Sequence, residues 1–127
     1  IDDKNLSAKV FLNGFVSNPL EVLKSGDIFI FPSKYEGFPL ALTEAMSVGL
    51  PVLGFESCSG VNELISNNID GFLASNENDM LNKMEFLMSD KELRNRLGVN
   101  AYESMEIFDS KIVENLWLSQ IDLIIKK

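Results

Sequence analysis

The sequence has no histidine and a single cysteine, Cys58. The first absence removes His-dependent triads and His-ligated metals. The second removes an intramolecular disulfide and any cysteine-built zinc site. No D-x-D pair of the kind that often holds a metal–diphosphate is present either, so neither a metal nor a cofactor is expected. Basic residues are scarce: 11 Lys and Arg against 19 Asp and Glu leave a net charge of −8. Nucleic-acid surfaces need clustered positive charge, so that class of partner is excluded. No apolar run approaches the roughly 20 residues that span a bilayer, and no secretory leader is legible. A cytoplasmic location is the expectation. The chain opens on Ile1 rather than Met, which points to a processed chain or a piece of a longer one.

What is present fits one globular domain. With 127 residues and 46% hydrophobic content, the chain can bury a core. Short β-rich runs alternate with helical patterns. "VFL" (Val10–Leu12), closed by Asn13-Gly14, predicts a strand. Pro19 to Lys24 predicts a brief helix stopped near Gly26. "DIFIF" (Asp27–Phe31) and "PVLGF" (Pro51–Phe55) are continuous apolar runs of the kind buried on both faces of a parallel sheet, and "GFLA" (Gly71–Ala74) is a shorter one. Helices are expected from about Leu40 to Val48 and from about Gly60 to Ser66. This alternation is the pattern of parallel crossovers, a Rossmann-like α/β sheet flanked by helices. After Ala74 only helical patterns follow. Met80, Leu81, Met84, Leu87 and Met88 form an amphipathic stripe. Ser89 and Glu92 read as a capping box. Asp109 is the expected N-cap of a last helix that carries Val113, Leu116, Trp117 and Ile124 on one face.

The chemistry concentrates in "PSKYEGFPLALTEAMSVGLPV" (Pro32–Val52), where Glu36 and Glu44 bracket a Gly-Phe-Pro turn. The turn follows a strand and opens a helix. Ligands of open parallel sheets sit beyond the carboxyl ends of the strands, so a site belongs here. Gly37 allows close approach of a ligand, and the N–H groups of Phe38 and Leu40 would face an anion, aided by the helix dipole. Glu44 also fits ordinary helix-start decoration, and two carboxylates fit a glycosidase pair if both flank one scissile bond. The residues alone point to an anion or sugar-phosphate site.

The ordered run of motifs carries more. "DIFIFPSKYEGFPLALTEAMSVGLPVLGFES" (Asp27–Ser57) resembles the donor-site signature of retaining glycosyltransferases of family 4, which have the GT-B fold. The matching parts are Pro32-Ser33, Glu36-Gly37, Glu44-Ala45-Met46 and Gly49 to Val52. "VNELI" (Val61–Ile65), "DGFL" (Asp70–Leu73) and "LRNRLGVNAYE" (Leu93–Glu103) continue it, and "VFLNGFV" (Val10–Val16) is similar to the family's strand-and-Gly segment at the donor edge. The resemblance implies that Glu44 binds the ribose hydroxyls of a nucleotide-diphosphate sugar and that Glu36 is the catalytic-site glutamate facing the donor sugar. Gly37, Phe38, Pro39 and Leu40 would give backbone contacts, with Gly14, Thr43 and Glu63 as further donor-site positions. Where glycine-rich sequence is usual, "ESCSG" (Glu56–Gly60) leaves only Gly60.

The resemblance further implies that residues 1–127 are part of the C-terminal, donor-binding domain of such an enzyme. The N-terminal acceptor domain, with its saccharide or lipid-linked acceptor, and a diphosphate-clamping Arg and Lys lie outside it. The parent would transfer a hexosyl group with retention, and the isolated chain would be inactive. Peripheral association with the inner membrane face is a family expectation. A sheet order of 3-2-1-4-5-6 puts two absent strands between Val10–Leu12 and Asp27–Phe31. The open Asp27–Phe31 edge should therefore pair with Val10–Leu12, a second copy or an upstream fragment. Rival readings are another GT-B sugar-nucleotide enzyme such as an epimerase, and a non-catalytic binding or scaffold domain.

Overall fold

The computed structural model describes residues 4–126. Three parallel strands, β1 (Phe29–Phe31), β2 (Val52–Phe55) and β3 (Gly71–Ala74), lie in the order β1-β2-β3, with Ile30 beside Leu53 and Leu53 beside Phe72. Parallel neighbours require crossovers, and helices α2 (Leu40–Ser47) and α3 (Val61–Leu64) supply them. All four residues of β2 are buried because strands flank it on both sides and helices cover it. Among the described residues β1 has a partner strand on one side only, and its residues are half-buried. The expected α/β sheet is therefore present, and its order matches the last three positions of the Rossmann-like series.

The predicted strand Val10–Leu12 does not form, so it does not pair with β1. Residues 10–16 run without ladder bonds, and Val10, Phe11, Leu12 and Phe15 are exposed, Phe15 by 96%. An apolar run becomes a strand only where a neighbouring backbone accepts its hydrogen bonds. Here no described strand lies beside it. Helix α1 (Pro19–Lys24) forms as expected. The predicted Gly60–Ser66 helix shrinks to the single turn of α3, because Ile65 turns extended to lead towards β3.

Helix α2 buries Leu42, Ala45 and Met46, an i, i+3, i+4 stripe. It ends in a Schellman motif: Gly49, at φ +78°, donates to the Met46 carbonyl at 2.9 Å, and Leu50 donates to the Ala45 carbonyl at 3.1 Å. Helices α4 (Glu77–Ser89) and α5 (Lys91–Ser104) follow β3. In α4 the buried stripe is narrower than expected. Met80, Met84 and Leu87 face the core, while Leu81 and Met88 are exposed. The Ser89–Glu92 capping box does not form, since Ser89 is still helical and its hydroxyl donates to the Phe86 carbonyl. Asp90 has the extended backbone a cap requires and accepts from the Leu93 N–H at 2.9 Å. Arg94 then closes α4 by donating to the Leu87 and Met88 carbonyls. A 3₁₀ turn (Met105–Phe108) leads to α6 (Ser110–Ile125), capped by Asp109 as expected. No residue of α6 is buried: Val113 is half-covered, and Leu116, Trp117 and Ile124 face outward. No helix of the described residues is long and apolar enough to cross a membrane.

Helix α5 meets the end of α2 backbone to backbone. A Cβ on Gly98 would lie 2.1 Å from the Gly49 carbonyl oxygen, which the Schellman turn holds in place. Gly98→Ala should therefore destabilise the chain by about 2–3 kcal/mol, although alanine gains ~1 kcal/mol of helix propensity. Urea denaturation followed by circular dichroism would measure this. A variant as stable as the parent sequence would disprove the contact.

Two carboxylates pull in opposite directions with pH. Asp79 accepts from Lys83 and from the Ser75 N–H, both at 2.8 Å, while Lys83 also donates to the Leu73 carbonyl. The bond from Lys83, then that from Ser75, holds the Asp79 pKa below its usual 3.8. Its contribution is present above the unfolded pKa and is lost as pH falls through the folded one. Asp70 is 2% exposed and accepts from the Ser66 N–H at 2.8 Å, yet burial raises its pKa above 3.8. Its ionisation weakens the fold as pH rises from 3.8 through the raised value. Asp79→Asn should thus lose stability at neutral pH and match the parent sequence in acid. Asp70→Asn should gain on the parent sequence as pH rises through that window. Urea midpoints at several pH values between about 3 and 7 would read both, and equal, parallel slopes would contradict the assignment.

Candidate donor-side active site

The loop after β1 places Glu36 and Glu44 on opposite sides of one turn. Pro39 is the N-cap of α2 with extended backbone, and its carbonyl accepts from the Leu42 and Thr43 N–H groups. No side chain caps this helix. Thr43 reinforces the first turn by donating its hydroxyl to the Leu40 carbonyl at 2.8 Å. Glu44 follows one residue later, half-buried.

Glu44, Thr43, Phe38 and Leu40 line a cleft of about 600 Å³, closed on its far side by Tyr102, Met105 and Phe108. Phe38 and Phe108 meet edge to face with centroids 5.5 Å apart, so the 3₁₀ turn after α5 rests on the turn that opens α2. Among the described residues, no hydrogen bond or ion pair occupies the Glu44 carboxylate. Glu106 and Asp109 also line the cleft, and no Lys or Arg does. Such a lining can accept from neutral hydroxyls and offers nothing cationic to a phosphate.

Glu36 lies across the turn. It lines a separate hollow of about 470 Å³ with Gly37, Lys34, Tyr35, Ser57 and Ser59. Its Oε1 accepts from the Ser33 hydroxyl at 2.7 Å, which fixes the carboxylate. The turn is pinned from behind. Gly60, at φ +80°, leaves the space that a Cβ would fill 2.5 Å from the Gly37 carbonyl oxygen. Two carboxylates in different clefts do not flank one scissile bond, so the glycosidase-pair reading loses its geometry.

The positions named from the sequence thus divide. Phe38, Leu40, Thr43 and Glu44 come together in one cleft, and Glu36 and Gly37 in the other, with buried Pro39 between them. Gly14, at φ +64° in the unpaired segment, has open space around it and lines neither. Glu63 is exposed in the first turn of α3 and accepts from the Ser59 hydroxyl at 3.2 Å, so it also lines neither. Sequence reasoning missed Ser33 as the anchor of Glu36, although Pro32-Ser33 stood in the motif. It also missed the far wall at Tyr102, Met105 and Phe108, which lies more than fifty residues away and carries no local signal.

Comparison with known proteins places the chain in a family. The family described as glycosyl transferases group 1 matches residues 1–104. The chain is 35% identical over 122 residues to N,N'-diacetylbacillosaminyl-diphospho-undecaprenol alpha-1,3-N-acetylgalactosaminyltransferase from Campylobacter jejuni, covering 94% of this chain and 32% of that protein. It is 33% identical over 122 residues to poly(ribitol-phosphate) alpha-N-acetylglucosaminyltransferase from Staphylococcus aureus, covering 94% of this chain and 25% of that one. Its structure superposes on a mutant of S. aureus TarM, solved with fondaparinux, alpha-GlcNAc-glycerol and UDP, at a TM-score of 0.82 and 33% identity. That match covers 93% of this chain and 24% of TarM. The chain therefore spans about a third or less of the length of these relatives. A family match over residues 1–104, with more than 30% identity to these relatives across most of the chain, shows that the chain belongs to the group 1 glycosyltransferases.

Proposed function

We propose that the chain is the donor-binding part of a retaining glycosyltransferase, which moves a hexosyl unit from a nucleoside-diphosphate sugar to a hydroxyl acceptor. The observation that carries this is Glu44, a half-buried carboxylate with no protein partner among the described residues, facing a cleft lined with carboxylates and without cations. A carboxylate can accept from two vicinal hydroxyls at once, as a ribose presents them. Across the turn, Glu36 orients the hydroxyls of the donor sugar and acts at the reacting face, its own carboxylate steadied by Ser33. Gly37, Phe38, Pro39 and Leu40 supply backbone to the bond between sugar and diphosphate, helped by the amino end of α2. Likeness to TarM, solved with UDP, favours a uridine nucleotide. The alpha linkages in the names of both curated relatives suit retention.

In this reaction the bond from the anomeric carbon to the acceptor oxygen forms as the bond to the diphosphate oxygen breaks, on the same face. The acceptor's proton passes to the departing phosphate oxygen. No histidine base is needed, and none exists in the chain. Charge on the leaving diphosphate must be stabilised, and the cations for it come from residues outside this chain. The acceptor is a saccharide or lipid-linked hydroxyl held by an N-terminal domain. The parent works in the cytoplasm, peripherally at the inner membrane face where its acceptor is lipid-linked.

The test is isothermal titration of the full-length parent with UDP. Glu44→Ala should weaken binding by about ten- to a hundredfold, the loss of hydrogen bonds to a charged group. Equal affinity in the variant would remove the ribose role. If the parent binds no nucleotide at all, the donor-site reading itself fails.

A further inference from the structure

The two edges of the sheet are finished differently. Successive residues of a strand turn their N–H and C=O groups to alternate sides. Ala74 turns towards β2, where its carbonyl accepts from the Glu56 N–H at 3.0 Å. Gly71, Leu73 and Ser75 therefore turn to the outer edge of β3, beside which no described strand lies. Left bare, such an edge is a template for another strand.

This edge is not bare. The Gly71 carbonyl accepts from the Asn68 N–H at 2.8 Å. The Leu73 N–H donates to Asn67 Oδ1 at 2.9 Å, and the Leu73 carbonyl accepts from Lys83 Nζ at 2.7 Å. Next along the edge, the Ser75 N–H donates to Asp79 Oδ2 at 2.8 Å, and Lys83 donates to the same oxygen at 2.8 Å. The cover thus comes from two elements, the loop before β3 and the first turns of α4. The loop is itself fixed: Asn68 holds φ +67°, and Asp70 accepts from the Ser66 N–H. The opposite edge differs. Phe29 turns to β2 by donating to the Pro51 carbonyl at 3.0 Å, so its neighbour Ile30 faces out, and among the described residues no such group meets it.

We infer that Asn67, Asn68, Lys83 and Asp79 seal the β3 edge against strand addition by a second copy of this chain. A second copy is the partner to exclude, because β3 itself, Gly71–Ala74, is an apolar run that would pair with its own twin. To join here, that strand would have to displace all four partners. It would also bring its backbone against the Lys83 ammonium, a charge that edge pairing cannot satisfy.

Amide hydrogen exchange of the 127-residue chain, read by ¹⁵N NMR at low and high protein concentration, tests the seal. The Leu73 and Ser75 amides should exchange slowly, at rates that do not change with concentration. Asn67→Ala should speed exchange at Leu73 about two- to tenfold, the loss of one hydrogen bond, and leave Ser75 unchanged. In Asn67→Ala/Lys83→Met, exchange at Leu73 should be fast when dilute and slow again when concentrated, as a second copy takes the place of the seal. Lys83→Met removes a positive charge from a chain already at −8, so repulsion between copies opposes that association and cannot be its cause. Asn67→Ala alone, which changes no charge, decides the matter if the double variant fails to fold. The seal is overturned if Leu73 and Ser75 exchange in the parent sequence like the unpaired residues 10–16, or if their protection grows with concentration. Unchanged exchange at Leu73 in Asn67→Ala, or a double variant in which Leu73 exchanges equally at every concentration, overturns it as well.

Discussion

The carbonyl of Gly37 occupies the space that a side chain at residue 60 would take, and the candidate site depends on that contact. It ties the loop after β1 to the loop after β2, so the turn from Gly37 to Pro39 stands as a fixed wall. One face of the wall belongs to Glu44 and the other to Glu36. A residue other than glycine at position 60 would have to push back the wall and hold φ near +80° itself, a conformation costly for L side chains. The single glycine left in "ESCSG" is thus explained by packing, with no ligand contact required of it.

A second glycine contact plays the same part at the other end of α2. Gly98 sits against the Gly49 carbonyl, and the Schellman turn fixes that carbonyl in place. Between the two contacts α2 has little freedom to rotate or slide, with Leu42, Ala45 and Met46 locked in the core. Rotation of α2 by one residue would swing Glu44 out of its cleft. The position of a carboxylate that would bind hydroxyls is therefore set by two backbone contacts and three apolar side chains, rather than by polar partners of its own. That leaves the oxygens of Glu44 available.

Legibility from the sequence followed the range of the forces involved. β2, β3, α1 and α2 were readable because apolar runs and turn residues act within a few positions, and the Glu36–Glu44 spacing placed both carboxylates around one turn. Val10–Leu12 failed because a strand is a pairwise object, and its composition says nothing of whether a neighbour is there. Ser89 failed as a cap because α4 runs one residue further than the capping pattern assumed, which passes the role to Asp90. Leu81 and Met88 show the same limit on α4: the stripe was read correctly as helical but two residues too wide. The wall at Tyr102, Met105 and Phe108 was out of reach because it exists only once α5 has packed on α2. Glu63 stands in the first turn of α3, as a helix-start glutamate does, and accepts there from the Ser59 hydroxyl.

The charge of the chain fits a division of labour within a larger active site. Recognition of sugar and ribose hydroxyls calls for acceptors, and under the proposed function the carboxylates of Glu36 and Glu44 would provide them on either side of the turn. Recognition of a diphosphate calls for cations, and a net charge of −8 with a cation-free cleft opposes it. If both tasks were carried by one set of side chains, carboxylates and cations would pair with each other and lose their hold on the ligand. Separation onto different segments of the polypeptide, as the proposed function requires, would avoid this, because the two would meet only with the nucleotide sugar between them. The negative donor would then screen the carboxylate side from the cationic side. On the proposed function the acidity of the chain would itself be functional: it would keep the carboxylates of a hydroxyl-binding half of the site from pairing with cations of their own.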